Sequence, residues 1–160
     1  MSNSIPISIQ GYKKLEEELA RLKEERPAII LAIKEAREEG DLRENAGYEA
    51  ARERQGMAEA RIKYIESRLA HFQVLDLDKL SGDKAAFGAT VEVEDVDSGE
   101  TRRFTILGPD EADPATGSIS FLSPVGQALL GREAGDEVTV AIPRGRVTYE
   151  ILGVTFDGAK

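Results

Sequence analysis

Two runs of heptad-spaced residues, separated by a few polar positions, limit what this chain can fold into more than any other feature. Leu15, Leu19, Leu22, Arg26, Ile29, Ile33, Ala36 and Gly40 follow one another at alternating spacings of four and three. Tyr48, Ala51, Gln55, Ala58, Ile62, Ile65, Leu69 and Phe72 do the same at three and four. A helix with such a repeat carries one seam that it buries against another helix. Two of them joined by a short turn fold back as an antiparallel coiled-coil hairpin. The positions between are mostly Glu, Lys, Arg and Gln, which suit solvated faces. The first helix is expected over residues 8–39, about 48 Å long. Ser8 is its expected N-cap and Gly40 the residue just past its end. Pro27 removes one helical hydrogen bond, so a bend is expected near Lys23. At the base, Leu15, Leu19 and Leu22 face Ile62, Ile65 and Leu69; at the tip, Ala36 and Gly40 face Tyr48 and Ala51. The tip is therefore expected to bury less apolar area and to hold less firmly. Gly47 adds to this, because an interior helical glycine costs about 1 kcal/mol against alanine.

The period changes near residue 80. Gly82, Gly88, Gly99, Gly108, Gly117 and Gly126 punctuate short segments. Thr90–Glu94 alternates as a strand, Asp97-Ser98-Gly99 turns, and Arg103–Ile106 returns. Ser118–Leu122, Glu137–Ile142 and Val147–Val154 are further expected strands, the last two joined through Pro143-Arg144-Gly145. Ser123-Pro124 opens a short helix over Val125–Leu130, which Gly131 stops. The expected fold is α+β, with an N-terminal helical hairpin over 1–78 and a small antiparallel sheet domain with one short helix over 79–160. Leu75–Leu80 is the expected connector.

Charge narrows the function classes. The 160 residues carry a net −9, unevenly placed. Residues 1–80 hold 14 basic against 16 acidic side chains, and residues 81–160 hold 7 against 14. A protein that grips a duplex presents a basic footprint, so any nucleic-acid contact here is expected to be local or arranged by a protein partner. There is no cysteine and one histidine, His71, which excludes a disulfide framework and argues against a self-contained zinc site. Met1–Pro6 shows no leader pattern, and no stretch nears the roughly 20 apolar residues of a membrane span. A cytoplasmic protein without a membrane segment is expected.

The turn between the helices, residues 40–45, places Asp41 and Glu44 at the end of the arm. Spaced Asp-x-x-Glu before a helix, the pair matches a capping box, with Asp41 as N-cap and Glu44 reaching back to it. Both also suit the positive end of a helix dipole. A capping carboxylate keeps a free oxygen, so capping and metal binding are compatible. Arg37 and Arg52 each follow a seam alanine near the tip and form either a basic spot or helix ion pairs, Arg37 with Glu38 or Glu53. Tyr48 packs on Ala36 and Ala51 or stacks on a base, and Asn45 caps or orients a water.

The motif Gly40-Asp41-Leu42-Arg43-Glu44-Asn45-Ala46, with Tyr48 and Ala50-Ala51-Arg52-Glu53 after it, resembles the tip of the bacterial Gre transcript-cleavage factors, nearer the GreA than the GreB branch. Gly11–Leu19, Phe87–Val91, Ser123–Gly131 and Gly135-Asp136 resemble further signatures of that family, in order along nearly the whole chain. One departure is Gly47, where the family commonly has an acidic residue. The resemblance implies that the hairpin enters the secondary channel of RNA polymerase. There Asp41 and Glu44 would share a Mg²⁺ that the polymerase completes, so that the polymerase cleaves backtracked RNA. It implies that Arg37, Arg52, Asn45 and Tyr48 lie against the RNA 3′ end. It further implies an FKBP-like C-terminal domain without isomerase activity, docked on polymerase through Ser123, Pro124, Asp110, Glu111 and Asp113. The isolated chain would bind no cofactor, catalyse nothing by itself and act as a monomer.

Other readings remain at this point. A secondary-channel regulator without cleavage activity would share the same build. A coiled-coil adaptor would form a homodimer through the heptads, against which the short turn argues. A stand-alone nuclease lacks a complete metal or nucleophile site in the sequence.

Overall fold

The computed structural model describes residues 4–39 and 46–156. Chain contacts divide it into two compact units, one of Met1–Gly11 with Phe72–Lys160 and one of Tyr12–His71. The sheet-bearing unit therefore reaches back to include the first residues of the chain, where the sequence suggested a division after residue 78.

In the helical unit, α1 (Ile9–Glu38) and α2 (Ala46–Leu69) form an antiparallel hairpin. Every heptad position between 15 and 36 and between 48 and 69 is buried or half-buried. The fully buried positions change helix along the arm. Toward the base they include Leu15, Ile62 and Ile65; higher up they are Ile29 and Ile33. Ion pairs across the seam set the register. Arg26 makes a bidentate pair with Glu59 at 2.8 and 3.0 Å, Arg61 one with Glu18 at 2.7 and 2.9 Å, and Lys23 meets Glu66 at 3.0 Å. Pro27 lies inside α1, which continues through it. The expected turn residues Gly40 to Asn45 lie outside the described residues.

The helix start behaves as the sequence suggests, with one addition. Ser8 Oγ accepts from the Gly11 N–H at 3.0 Å, the N-cap bond. A capping box would place Glu at position 11 to take the Ser8 N–H. Here Glu111, a hundred residues on, does so: its Oε2 accepts the Ser8 N–H at 3.0 Å and its Oε1 accepts the Ser8 hydroxyl. Glycine at 11 makes room, since a Cβ there would stand 2.4 Å from Glu111 Oε1.

The main sheet of the other unit has strand order β5-β4-β3-β7-β6. Its strands are β3 (Thr90–Asp95), β4 (Thr101–Leu107), β5 (Ser118–Ser120), β6 (Glu137–Ile142) and β7 (Gly145–Thr155). Alternation along them sends Val91, Val93, Ile106, Val138, Val140, Val147, Tyr149 and Ile151 into one core, closed by Leu129 of α3 (Pro124–Leu129). The sheet is not wholly antiparallel, as the sequence suggested, because β4 and β5 run parallel. A second parallel pair was also unforeseen: β1 (Ile5–Ser8) lies beside β2 (Phe72–Leu75). Phe72, read from spacing as the last seam residue, is the first residue of β2. The expected connector 75–80 is the end of β2 and a short 3-10 turn with Leu77 buried. Gly131, at φ 80°, ends α3 as expected and donates to the Ala85 carbonyl at 2.7 Å.

Candidate functional site

Near the C-terminal end of α1 and the N-terminal end of α2, the two helices bring together three side chains that the sequence singled out separately. The Arg37 guanidinium carbon lies over the Tyr48 ring, 5.8 Å from its centroid, and that of Arg52 lies 6.0 Å from it. Arg52 Nη1 also approaches the Tyr48 hydroxyl at 3.4 Å. The Arg37 guanidinium, hydrogen-bonded to the phenol, holds Tyr48 below the ordinary tyrosine range; desolvation opposes this and Arg52 adds to it. Arg37 was weighed as a partner of Glu38 or Glu53; it engages Tyr48 instead.

Beside this cluster Ile30, Ile33, Lys34, Arg37, Arg52 and Gln55 line a recess of about 240 Å³. Three of these side chains are cations and none is an acid. Lys34 is the residue that sequence reasoning passed over. Its signal was its position three residues before Arg37, on the same face of α1. The recess suits an anion with an apolar edge, because Ile30 is half exposed beside the cations. Asp41, Glu44 and Asn45 lie outside the described residues. Among the described residues no group of three or more His, Cys, Asp or Glu could hold a metal ion. Asp41 and Glu44 offer oxygen donors of the kind Mg²⁺ takes, and two carboxylates fill only part of its shell.

On the sheet-bearing unit, the residues proposed to dock a partner have local duties as well. Ser123 caps α3, accepting from the Gly126 N–H at 3.0 Å, and Pro124 takes the first helical position. The Ser123 hydroxyl donates to the Ser120 carbonyl at 2.7 Å. Asp113 caps a 3-10 turn, accepting from the Ala115 N–H at 3.0 Å. Glu111 is held by Ser8, and Asp110 is partly buried. Of the five, Ser123 and Pro124 sit in a turn whose neighbour Leu122 is 58% exposed. His71 is exposed.

A helical hairpin with a cationic, aromatic cluster and a separate sheet-bearing unit together define a two-unit, hairpin-bearing class of protein. Residues 5–74 match the N-terminal domain of the transcription elongation factors GreA and GreB, and residues 80–156 match their C-terminal domain. The chain belongs to this GreA/GreB transcription elongation factor family, on its GreA-like side. It is 82% identical over 157 residues to transcription elongation factor GreA of Desulfovibrio desulfuricans, covering 98% of this chain and 97% of that one. It is 70% identical over 158 residues to GreA of Nitratidesulfovibrio vulgaris strain Miyazaki F, covering 99% of both. Among solved structures, the GreA factor homolog 1 of Thermus thermophilus is 31% identical, with 94% of this chain and 98% of that one covered, at a TM-score of 0.44. No helix among the described residues is long and apolar enough to cross a membrane.

Proposed function

We propose that this chain is a transcription elongation factor that inserts its hairpin into the secondary channel of RNA polymerase and stimulates the polymerase to cleave backtracked RNA. The observation that carries the reading is the conjunction of two acids with one cation cluster. Asp41 and Glu44 fall in the short segment between α1 and α2, and on those helices Arg37 and Arg52 lie over Tyr48 and share a recess with Lys34. The cations supply an anchor for RNA phosphate. The acids supply two oxygen ligands to a Mg²⁺ whose remaining ligands come from the polymerase and the RNA. Such an ion polarises water and offsets charge on the leaving oxygen of a phosphodiester. The chain's part is to carry carboxylates to the reaction and to hold the RNA end; the polymerase cuts. It acts as a monomer, because each helix buries its seam against the other helix of the same chain, and in the cytoplasm, where the polymerase works.

Incubation with a purified stalled elongation complex and Mg²⁺ tests this. Short 3′ RNA products are expected with the wild type. Asp41→Ala and Glu44→Ala are expected to lower the cleavage rate by roughly a hundredfold or more while polymerase binding stays within about twofold. Equal loss of binding and cleavage would make the two acids a structural cap only.

A further inference from the structure

Two tyrosines of the hairpin each gather two arginines, and the two clusters are built differently. Tyr64 of α2 has the Arg61 guanidinium carbon 5.4 Å from its ring centroid and that of Arg68 5.7 Å from it. Both arginines lie on the tyrosine's own helix, three residues before it and four after, where side chains of any helix meet. Arg61 is also committed to the Glu18 carboxylate, at 2.7 and 2.9 Å. Helix geometry and one ion pair account for that cluster.

The Tyr48 cluster spans two helices. Arg52 follows four residues on, along α2, but Arg37 comes from α1. Their guanidinium carbons stand 6.0 and 5.8 Å from the centroid of one ring. Like charges repel, and the recess that both arginines line also holds Lys34 and no acid. The tyrosine supplies the opposing attraction. Its ring face attracts cations, and its phenol oxygen accepts from guanidinium N–H groups, with Arg52 Nη1 at 3.4 Å. The lowered pKa of Tyr48 has the same origin, the Arg37 hydrogen bond first. Tyr48 is a half-buried seam residue, so packing limits where its ring can go. A base stacking on that ring would have to displace a guanidinium already over it.

We propose that Tyr48 is a positioning residue: its ring and hydroxyl hold the Arg37 and Arg52 guanidiniums, one from each helix, as a preformed pair for phosphate of the RNA end, and it does not itself stack on a base. The inference rests on the polymerase reading above. Without the tyrosine, a phosphate would have to gather two long, mutually repelling side chains from different helices and quench the rotamer freedom of both. With it, the phosphate meets two sets of N–H donors that have already converged.

Wild type is compared with Y48F, Y48L, R37A/R52A, R37A/R52A/Y48L and, as a control, Y64L. On a purified stalled elongation complex, Y48L is expected to lower the cleavage rate at saturating factor roughly fivefold, with half-saturation within about twofold. Y48F keeps the ring, loses the hydroxyl and falls between. Y64L matches wild type. Adding Y48L to R37A/R52A costs nothing further, because Tyr48 acts only through the arginines. A further loss of about fivefold in that background would make Tyr48 a base-stacking residue and overturn the proposal. A Y48L variant that cleaves like wild type overturns it too. Leucine suits a helical seam, so the helix signal of Y48L matches wild type. A second readout needs no polymerase. In isotope-labelled factor alone, the Arg37 and Arg52 Nε–H resonances move in Y48L to those of solvated arginines, and pyrophosphate binds roughly fivefold more weakly. Unchanged resonances or an unchanged pyrophosphate affinity overturns the proposal. A wild type that binds polymerase but yields no cleavage sinks the cleavage reading, and the pyrophosphate titration still decides this one.

Discussion

The sheet-bearing unit and the hairpin use their apolar residues in different geometries. In the sheet unit, side chains from four strands and α3 meet in one cluster, and residues such as Val93 and Ile106 are wholly enclosed. In the hairpin the core is a line. Its buried residues, Leu15, Ile29, Ile33, Ile62 and Ile65, are strung along two helices, and ion pairs between α1 and α2 flank them. A closed core makes its members depend on one another. A linear core lets one stretch weaken while another holds, which suits an arm whose end works apart from its root.

The largest expected effect is in the closed core. Ile106→Ala is expected to cost about 3–4 kcal/mol, read by denaturant unfolding followed through the aromatic signal of the Phe104–Tyr149 pair. Next is Ile65→Ala in the hairpin, about 2–3 kcal/mol, seen as loss of helix signal and of amide protection confined to α1 and α2. If amide protection in the sheet fell to the same extent, the two units would unfold as one and the contrast would fail. Arg61→Ala should cost about 1 kcal/mol, since the pair with Glu18 is partly exposed. That pair has a pH signature. Arg61 holds Glu18 below the ordinary carboxylate range, so its stabilisation is present above the unfolded pKa and disappears as pH falls through the lowered folded value. Helix loss on acidification should therefore be shallower in Arg61→Ala; identical acid profiles would show that the pair contributes nothing. The smallest effect is spectroscopic. Tyr48 should ionise below the ordinary tyrosine range in an ultraviolet titration, and Arg37→Ala should return it upward more than Arg52→Ala does. Its contribution to stability has the same sign as that of Glu18: it is present above the unfolded tyrosine pKa and lost as pH falls through the folded one.

What the sequence made legible divides along the same line. Heptad spacing located both helices and the seam positions from Leu15 to Ala36 and from Tyr48 to Leu69, because a linear core repeats locally. Period-two alternation located β3, β6 and β7 within a few residues, and Ser-Pro with a later glycine located α3. Parallel pairing escaped it twice. Ile5–Ser8 is four residues long and contains Pro6, while its partner Phe72–Leu75 continues a helical spacing; nothing within either segment marks the other. β5 pairs with β4 through a crossover, and its direction has no local signal. At the candidate site, Arg37, Arg52 and Tyr48 were found by their nearness to the turn. Their convergence on one ring depends on the register between helices, which spacing alone leaves open. Glu111 was read as a docking acid; its bond to Ser8, 103 residues away at the start of α1, had no local signal.

That remote cap bears on whether the arm can be transplanted. A hairpin cut free for grafting onto another scaffold leaves Glu111 behind, and its first turn keeps the Ser8 hydroxyl but loses the carboxylate that takes the Ser8 N–H. Gly11→Glu would restore a self-sufficient cap in such a fragment. In the whole chain the same substitution would push the Glu111 carboxylate off Ser8 and set two acids against each other. One change of residue thus carries opposite signs in the part and in the whole, and glycine at position 11 marks an arm made to remain with its base.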